Sequence, residues 1–360
     1  MALSYAFLTL LLAALILEVL AQSYTSCDPL EKTTCSADTG STESSMSYDF
    51  TQSSALDDWT TSAGTVTTGT DGLEFTINSK GDSPTIQTNY YIFFGEVTIR
   101  MKAAPGTGIV SSLILESDDL DEIDWEALGG YTTKLQTDYY GKGDSADYDR
   151  WTWVAVTSPQ TTFHTYKWTW SETSLSWSVD GETVRTLAYD DAVNGTRYPQ
   201  TPMRVRLGIW AGGDSDNNSG TIEWAGGQTD YTAGPFTMYV SSVDIVNYNP
   251  AQTYTYTDQS GDYGSIQITA SDGSTSTLTG GSTGTSTDTA STPSGSSDLW
   301  SAVDFPSVGM PTSGNPMTKP RPQRSSTNST QPGARCTPAK SSSKSATSCA
   351  NLFPRATSST

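Results

Sequence analysis

The chain has 360 residues, of which 35% are hydrophobic, and a formal net charge of −20. The charge is uneven: beyond residue 300 the only acid is Asp304, so that tail carries +6 and residues 1–300 carry −26. So acidic a body repels phosphates, which argues against nucleic acid as a partner and leaves neutral polysaccharide acceptable.

In chain order, Phe7 to Ile16 form a short apolar run, and Val19-Leu20-Ala21 offers a small-residue cleavage site before Gln22. This predicts a signal peptide over 1–21 and a secreted protein. The first residues lack Lys and Arg, and Glu18 is unusual, so a membrane anchor is the alternative. The run is short for a span of about 20 residues. Cys27 and Cys35 are close in sequence and are expected to pair, which leaves Cys336 to pair with Cys349. Closing so short a loop stabilises by roughly 2–3 kcal/mol if the gain is unfolded-chain entropy. Neither pair has metal-ligand spacing and His164 is the only histidine, so no zinc site and no cofactor is expected.

From Tyr48 to about Ile268, aromatic and apolar residues alternate densely with polar ones, which places a folded domain within 22–268. Tyr91 to Arg100 reads as a strand pair or one bent strand. Phe163 to Trp170 alternates with His164, Tyr166, Trp168 and Trp170 on one face. Leu175 to Val179 then meets Asp180-Gly181, a hairpin signal, before Glu182 to Arg185. No long amphipathic helix is evident. Many short strands separated by turns predict an all-β sandwich or jelly roll. The abundant Trp and Tyr either fill its core or line a sugar cleft, since flat rings stack on pyranose faces. His164 is expected to be a hydrogen-bonded strand residue and not a catalyst. Sequons begin at Asn194, Asn217 and Asn328. Residues 269–360, rich in Ser and Thr at first and polar throughout, read as a disordered tail with too little apolar surface to fold.

The strongest chemical signal is Glu122-Ile123-Asp124-Trp125-Glu126. On a strand, residues two apart share a face, so the three acids point one way while Ile123 and Trp125 point into the core. Such a row is costly if merely structural, because like charges repel. It is useful to a retaining glycosidase, which needs an ionised nucleophile and a protonated acid with carboxyls about 5–5.5 Å apart. Glu122 is assigned as nucleophile, Asp124 as the assisting carboxylate that separates the two acidities, and Glu126 as acid/base. Pattern alone does not decide which glutamate is which. A solvated acidic edge strand or a calcium site built from these oxygens is the competing reading.

Met203 to Trp210 also alternates, with Val205, Leu207 and Ile209 core-facing and Arg204, Arg206, Gly208 and Trp210 opposite. If this strand lies beside the acidic one, Arg206 and Trp210 reach the cleft, Trp210 to stack on a ring and Arg206 to donate hydrogen bonds; otherwise Arg206 only balances the acidic row. Read as a strand, the next run puts Thr221 and Glu223 on one face and Ile222 and Trp224 on the other. Thr221 is then a plausible hydroxyl contact, and Trp224 is either core or cleft.

Ala103-Ala104-Pro105-Gly106-Thr107-Gly108-Ile109-Val110-Ser111-Ser112, then Ser117 through Glu126 and Leu128-Gly129-Gly130, form a signature. With Phe163 to Tyr166, Gly208-Ile209-Trp210, Gly220 to Gly227 and Gly261-Asp262-Tyr263, it resembles the fungal Crh-type chitin–glucan transglycosylases of glycoside hydrolase family 16. The likeness spans roughly 27–268. It implies a concanavalin-like β-jelly roll, Glu122 as nucleophile and Glu126 as acid/base. It also implies transfer of chitin-derived chains onto glucan or chitin in the cell wall. In that family's pattern, Glu126, Arg206, Trp210 and Thr221 match substrate-contacting positions. Many members end in a lipid-anchor signal, which requires a hydrophobic tail of about 10–20 residues. The end of this sequence has none, so the expected product is monomeric and secreted or wall-retained, with no transmembrane segment after signal cleavage. A plain hydrolase and a non-catalytic lectin are the rival functions.

Overall fold

The computed structural model describes residues 25–146 and 150–279. The predicted signal peptide, Cys336, Cys349, Asn328 and the tail beyond residue 279 lie outside the described residues.

Two large antiparallel sheets are stacked face to face. The first runs, in spatial order, Thr152–Ala155, Lys134–Tyr140, Glu122–Leu128, Ile109–Ser117, Met203–Ala211, Thr85–Thr88 and Trp59–Ala63. The second runs Glu182–Ala188, Ser174–Val179, His164–Trp170, Gly95–Lys102, Phe236–Asn247, Gly72–Ile77 and Val66–Gly69, with Ser45–Asp49 also pairing to Phe236–Asn247. Alternation builds the core between them. Ile123, Trp125, Leu113, Leu115, Val205, Leu207 and Ile209 from the first sheet meet Tyr166, Trp168, Trp170, Leu175 and Trp177 from the second in one buried cluster. This is the jelly-roll sandwich expected. The period-2 pattern leaves the opposite face of the first sheet to Glu122, Asp124 and Glu126.

Three local readings hold. Cys27 and Cys35 are disulfide-bonded, with α-carbons 5.7 Å apart. Asp180 and Gly181 both take positive φ, 50° and 86°, as the tight hairpin requires. His164 lies in the second sheet, its Nδ1 2.7 Å from Asp180 Oδ2 and its Nε2 2.9 Å from Thr157 O.

Others change. Tyr91 to Arg100 is not one strand: Tyr91 and Ile92 make only isolated bridges, and the strand begins at Gly95. Phe94 at φ 55° breaks the run, and a Cβ on Gly95 would sit 2.0 Å from Val246 O, so only glycine lets the two strands meet there. The ordered chain continues past residue 268, where Ile266–Thr269 pairs with both Thr253–Tyr256 and Thr275–Ser276 in a small third sheet. Thr221 and Trp224 lie not on a strand but in a short helix, Ser219–Trp224. The Asn218 side chain caps it by accepting from Thr221 N at 2.9 Å, and Gly226 and Gly227, both at positive φ, follow its end.

Candidate active site

The catalytic candidates sit on a strand paired on both sides. Across the Ile109–Ser117 strand, Glu122 faces Glu116, Asp124 faces Ile114 and Glu126 faces Ser112. Across Lys134–Tyr140, Glu122 faces Tyr140, Asp124 faces Asp138 and Glu126 faces Gln136. Directly opposed residues share a face, so these side chains form one patch. All three acids are buried, Glu126 most open at 6% exposure.

Burial is the main force on the acidity of Asp124 and Glu126. It holds Asp124 and Glu126 well above the usual carboxylate range. The charges of Glu122, Glu126 and Asp138, and a hydrogen bond with Glu122, push Asp124 further up. Asp138 and Glu122 do the same to Glu126. Asp138, itself pushed up to about 6 by burial, is restrained by hydrogen bonds from Tyr139 N at 2.9 Å and Tyr140 Oη at 3.0 Å, and by Arg185. Burial and the neighbouring charges therefore favour the protonated forms of Asp124 and Glu126, the direction an acid catalyst requires. Neither Asp124 Oδ1 nor Glu126 Oε1 has a hydrogen-bond partner among the described residues.

Asp138 and Glu116 are further candidates on this face that sequence reasoning missed. Their signal was present in the alternation of Gln136, Asp138 and Tyr140 and of Ser112, Ile114 and Glu116. It becomes readable only once the strand neighbours are known.

The sequence made the reach of Arg206 into the cleft conditional on its strand lying beside the acidic one, and that condition is not met. Its strand is not beside the acidic one: Ile109–Ser117 lies between them. Arg206 sits on the expected face and ion-pairs with Glu116, so its charge is balanced one strand away from the row. Trp210 donates from Nε1 to Ser112 Oγ at 3.2 Å and stacks on Trp224 with ring centroids 5.9 Å apart. Trp224 donates to Gln136 Oε1 at 2.8 Å, the residue opposite Glu126, so it belongs to this face and not to the inter-sheet core. The helix also brings in Thr221, fully buried, whose Oγ1 has no partner among the described residues. The structure thus brings Glu122, Asp124, Glu126, Arg206, Trp210 and Thr221 to one side of the first sheet.

Beneath the row, Trp177 of the second sheet crosses the core and donates from Nε1 to Asp124 O at 3.0 Å. At its entrance, Asp119 and Asp121 are fully buried and staple the turn before Glu122. Asp121 Oδ2 accepts from Gln200 N at 2.7 Å and Thr201 Oγ1 at 2.9 Å, and its Oδ1 accepts from Lys142 N at 2.8 Å. Asp119 Oδ1 accepts from Ser117 Oγ and Thr201 Oγ1, both at 2.5 Å. Gln200 Oε1 accepts from Tyr263 N at 3.2 Å, and a Cβ on Gly261 would stand 2.6 Å from Asp119 Oδ2. Asp119 Oδ2 has no hydrogen-bond partner among the described residues, but the bonds to Asp119 Oδ1 and Asp121 frame Leu120, which stands at φ 64° between them.

Residues 53–226 match the family described as glycosyl hydrolases family 16. The chain is 56% identical over 260 residues to Crh-like protein 5 of Aspergillus fumigatus, covering 72% of this chain and 66% of that protein, just under two thirds of its length. The solved structure of apo Crh5 transglycosylase is 60% identical, with a TM-score of 0.66, and is covered in full by 67% of this chain. A second structure, Crh5 transglycosylase in complex with NAG, matches at the same identity and TM-score, with 68% of this chain covering all of it.

Proposed function

The chain belongs to the Crh-like proteins of glycosyl hydrolases family 16, and from that premise we infer that it is a retaining transglycosylase of the fungal cell wall. It cleaves chitin and transfers the released chain to β-glucan or chitin. The observation that carries this reading is the buried row Glu122, Asp124 and Glu126 on one strand face, with burial, Asp138 and Glu122 all pushing the Glu126 pKa up. The structure solved with NAG, the sugar unit of chitin, supports a chitin-type ligand.

The chemistry follows from the charges. Glu122 attacks the anomeric carbon of the donor while Glu126 gives its proton to the departing oxygen, leaving a glycosyl ester on Glu122. Esterification removes the Glu122 charge, one of the causes that keep Glu126 protonated. Glu126 thereby becomes the better base for the second half-reaction, in which it takes a proton from the acceptor hydroxyl as that oxygen displaces Glu122. Asp124 hydrogen-bonds Glu122 and orients it. Trp224, half-buried and stacked on the buried Trp210, offers a surface for a sugar ring, and Arg206 is a donor near Glu116.

The apolar run near the start and the Cys27–Cys35 bond support action outside the cell. The test is mass spectrometry of products after mixing the protein with a chitin oligosaccharide and a labelled β-1,3-glucan oligosaccharide, beside Glu122→Gln. Label in longer mixed chains, absent in the variant, establishes transfer and the nucleophile. Shortened chitin alone makes the protein a hydrolase, and saturable binding without product makes it a lectin.

A further inference from the structure

The residue directly across from Glu126 on the Lys134–Tyr140 strand is an amide, Gln136, only 2% exposed. Directly opposed side chains on one face start from β-carbons about 4.5–5.5 Å apart, so an amide on one strand reaches a carboxyl on the other. On its far side Gln136 faces Trp153 of the edge strand. Ser112 faces Glu126 from the other neighbouring strand, and Trp224 comes in from the Ser219–Trp224 helix. The charged groups on this face beside Glu126 are Glu122 and Asp124 on its own strand and Asp138 on that of Gln136.

An amide has a donating and an accepting end, and which end faces an acid decides its effect. The indole N–H of Trp224 can only donate, so its 2.8 Å bond fixes the oxygen of Gln136 on the Trp224 side. The N–H donors are then what remains for Glu126. A donor suits both states of an acid/base. It bonds the carbonyl oxygen of the protonated form and leaves the O–H for the departing oxygen, and it bonds the carboxylate once the proton is gone. The reversed amide offers an oxygen, which takes the Glu126 O–H in a hydrogen bond and holds the proton away from the leaving group. Glu126 Oε1 is buried and has no hydrogen-bond partner among the described residues, so its bonding capacity is unspent. Trp224 is stacked on Trp210 at 5.9 Å, so the surface for a sugar ring and the setting of the acid belong to one linked group of side chains.

We propose that Gln136 is a positioning residue for Glu126, its amide held in the donating sense by the Trp224 indole. That role rests on Glu126 being the acid/base, and it is the same whether water or a sugar is the acceptor. It is tested by kinetics of the wild type, Gln136→Met, Trp224→Phe and the double variant on two donors. One is an unmodified chitin oligosaccharide and the other its nitrophenyl glycoside, whose leaving group departs without a proton. Gln136→Met keeps the length of the side chain and removes the amide. It lowers kcat on the unmodified donor about tenfold and leaves KM within about twofold, while the nitrophenol burst keeps its rate. The basic limb of its kcat/KM profile moves to higher pH, because the carboxylate form of Glu126 has lost a stabilising bond. Trp224→Phe keeps a ring, deletes the N–H and lets the amide turn, so kcat on the unmodified donor falls by a smaller factor. The double variant falls no further in kcat than Gln136→Met, because without the amide there is no sense to fix.

Equal losses on the two donors overturn the role, as do a basic limb that stays put and a double variant whose losses multiply. If Gln136→Met does not fold, Trp224→Phe alone decides, since its loss of kcat must still vanish from the nitrophenol burst. Products of the wild-type protein are assayed separately. Transfer that Gln136→Met leaves unslowed sinks this role alone. Hydrolysis without transfer, slowed by Gln136→Met on the unmodified donor only, sinks the transglycosylase reading and leaves the role.

Discussion

Replacing Trp177 by Phe probes the link between the two sheets directly beneath the candidate carboxylates. Trp177 is fully buried, donates to Asp124 O at 3.0 Å and lies under the Arg185 guanidinium at 4.5 Å. Arg185 in turn donates to Thr137 O and Thr137 Oγ1, both at 2.9 Å, on the strand that carries Asp138. Phenylalanine keeps an aromatic face for Arg185 but deletes the N–H and leaves a small void. The lost hydrogen bond costs roughly 0.5–1.5 kcal/mol, and the missing ring atoms about 1–2 kcal/mol more. For a domain of this size, the combined loss of about 2–3 kcal/mol lowers the melting temperature by about 5–10 °C. Because the deleted bond positions Asp124, kcat is expected to fall about tenfold or more with little change in KM. Scanning calorimetry and initial rates of transfer check both. A variant that melts within 2 °C of the parent and turns over normally would show that the indole contact neither holds the sheets nor positions the row.

Glu126→Gln should slow transfer from unactivated chitin donors by about 10²–10⁴-fold yet spare donors with good leaving groups, which rate comparison of the two donor types will show. Asp138→Asn removes a charge that keeps Glu126 protonated, so the basic limb of the kcat/KM profile should move to lower pH, and a limb that stays put would deny that coupling. Burial pushes Asp38 up to about 8 and Asp119 and Asp138 up to about 6, whereas unfolded aspartates titrate near about 3.9. Between about pH 4 and pH 8 the folded chain therefore holds more of these protons than the unfolded one, and this stabilisation is lost as pH rises; melting should be higher at pH 5 than at pH 8. Asn194 is exposed, while Asn217 spends its Nδ2 on Ala211 O at 2.9 Å and Gly212 O at 3.0 Å, so glycopeptide mapping of secreted protein should find a glycan on Asn194 and none on Asn217.

The carboxylate row was legible because its information is local. Alternation alone put Ile123 and Trp125 inward and the acids outward, and the same rule sorted Val205, Leu207 and Ile209 from Arg206 and Trp210. Neighbour order was not legible. Nothing within Met203 to Trp210 says that Ile109–Ser117 intervenes before Glu122, because strand order is decided by which distant segments bury each other. The contributions of Glu116 and Asp138 depended on that order. Thr221 was placed on the right side of the sheet for the wrong reason. Its short run has too few residues for a helical period to outweigh alternation, and the Asn218 cap and following glycines were the better guide.

The stapled turn before Glu122 bears on how the domain is made. Asp119 and Asp121 are held by partners near Lys142 and Thr201, and those are in turn braced by Gly261 and Tyr263. On a chain synthesised from its N-terminus, the segment bearing Glu122 is translated before the residues that brace its entrance. The braces on that entrance therefore include one from Tyr263, so a chain cut short before residue 263 would lack it.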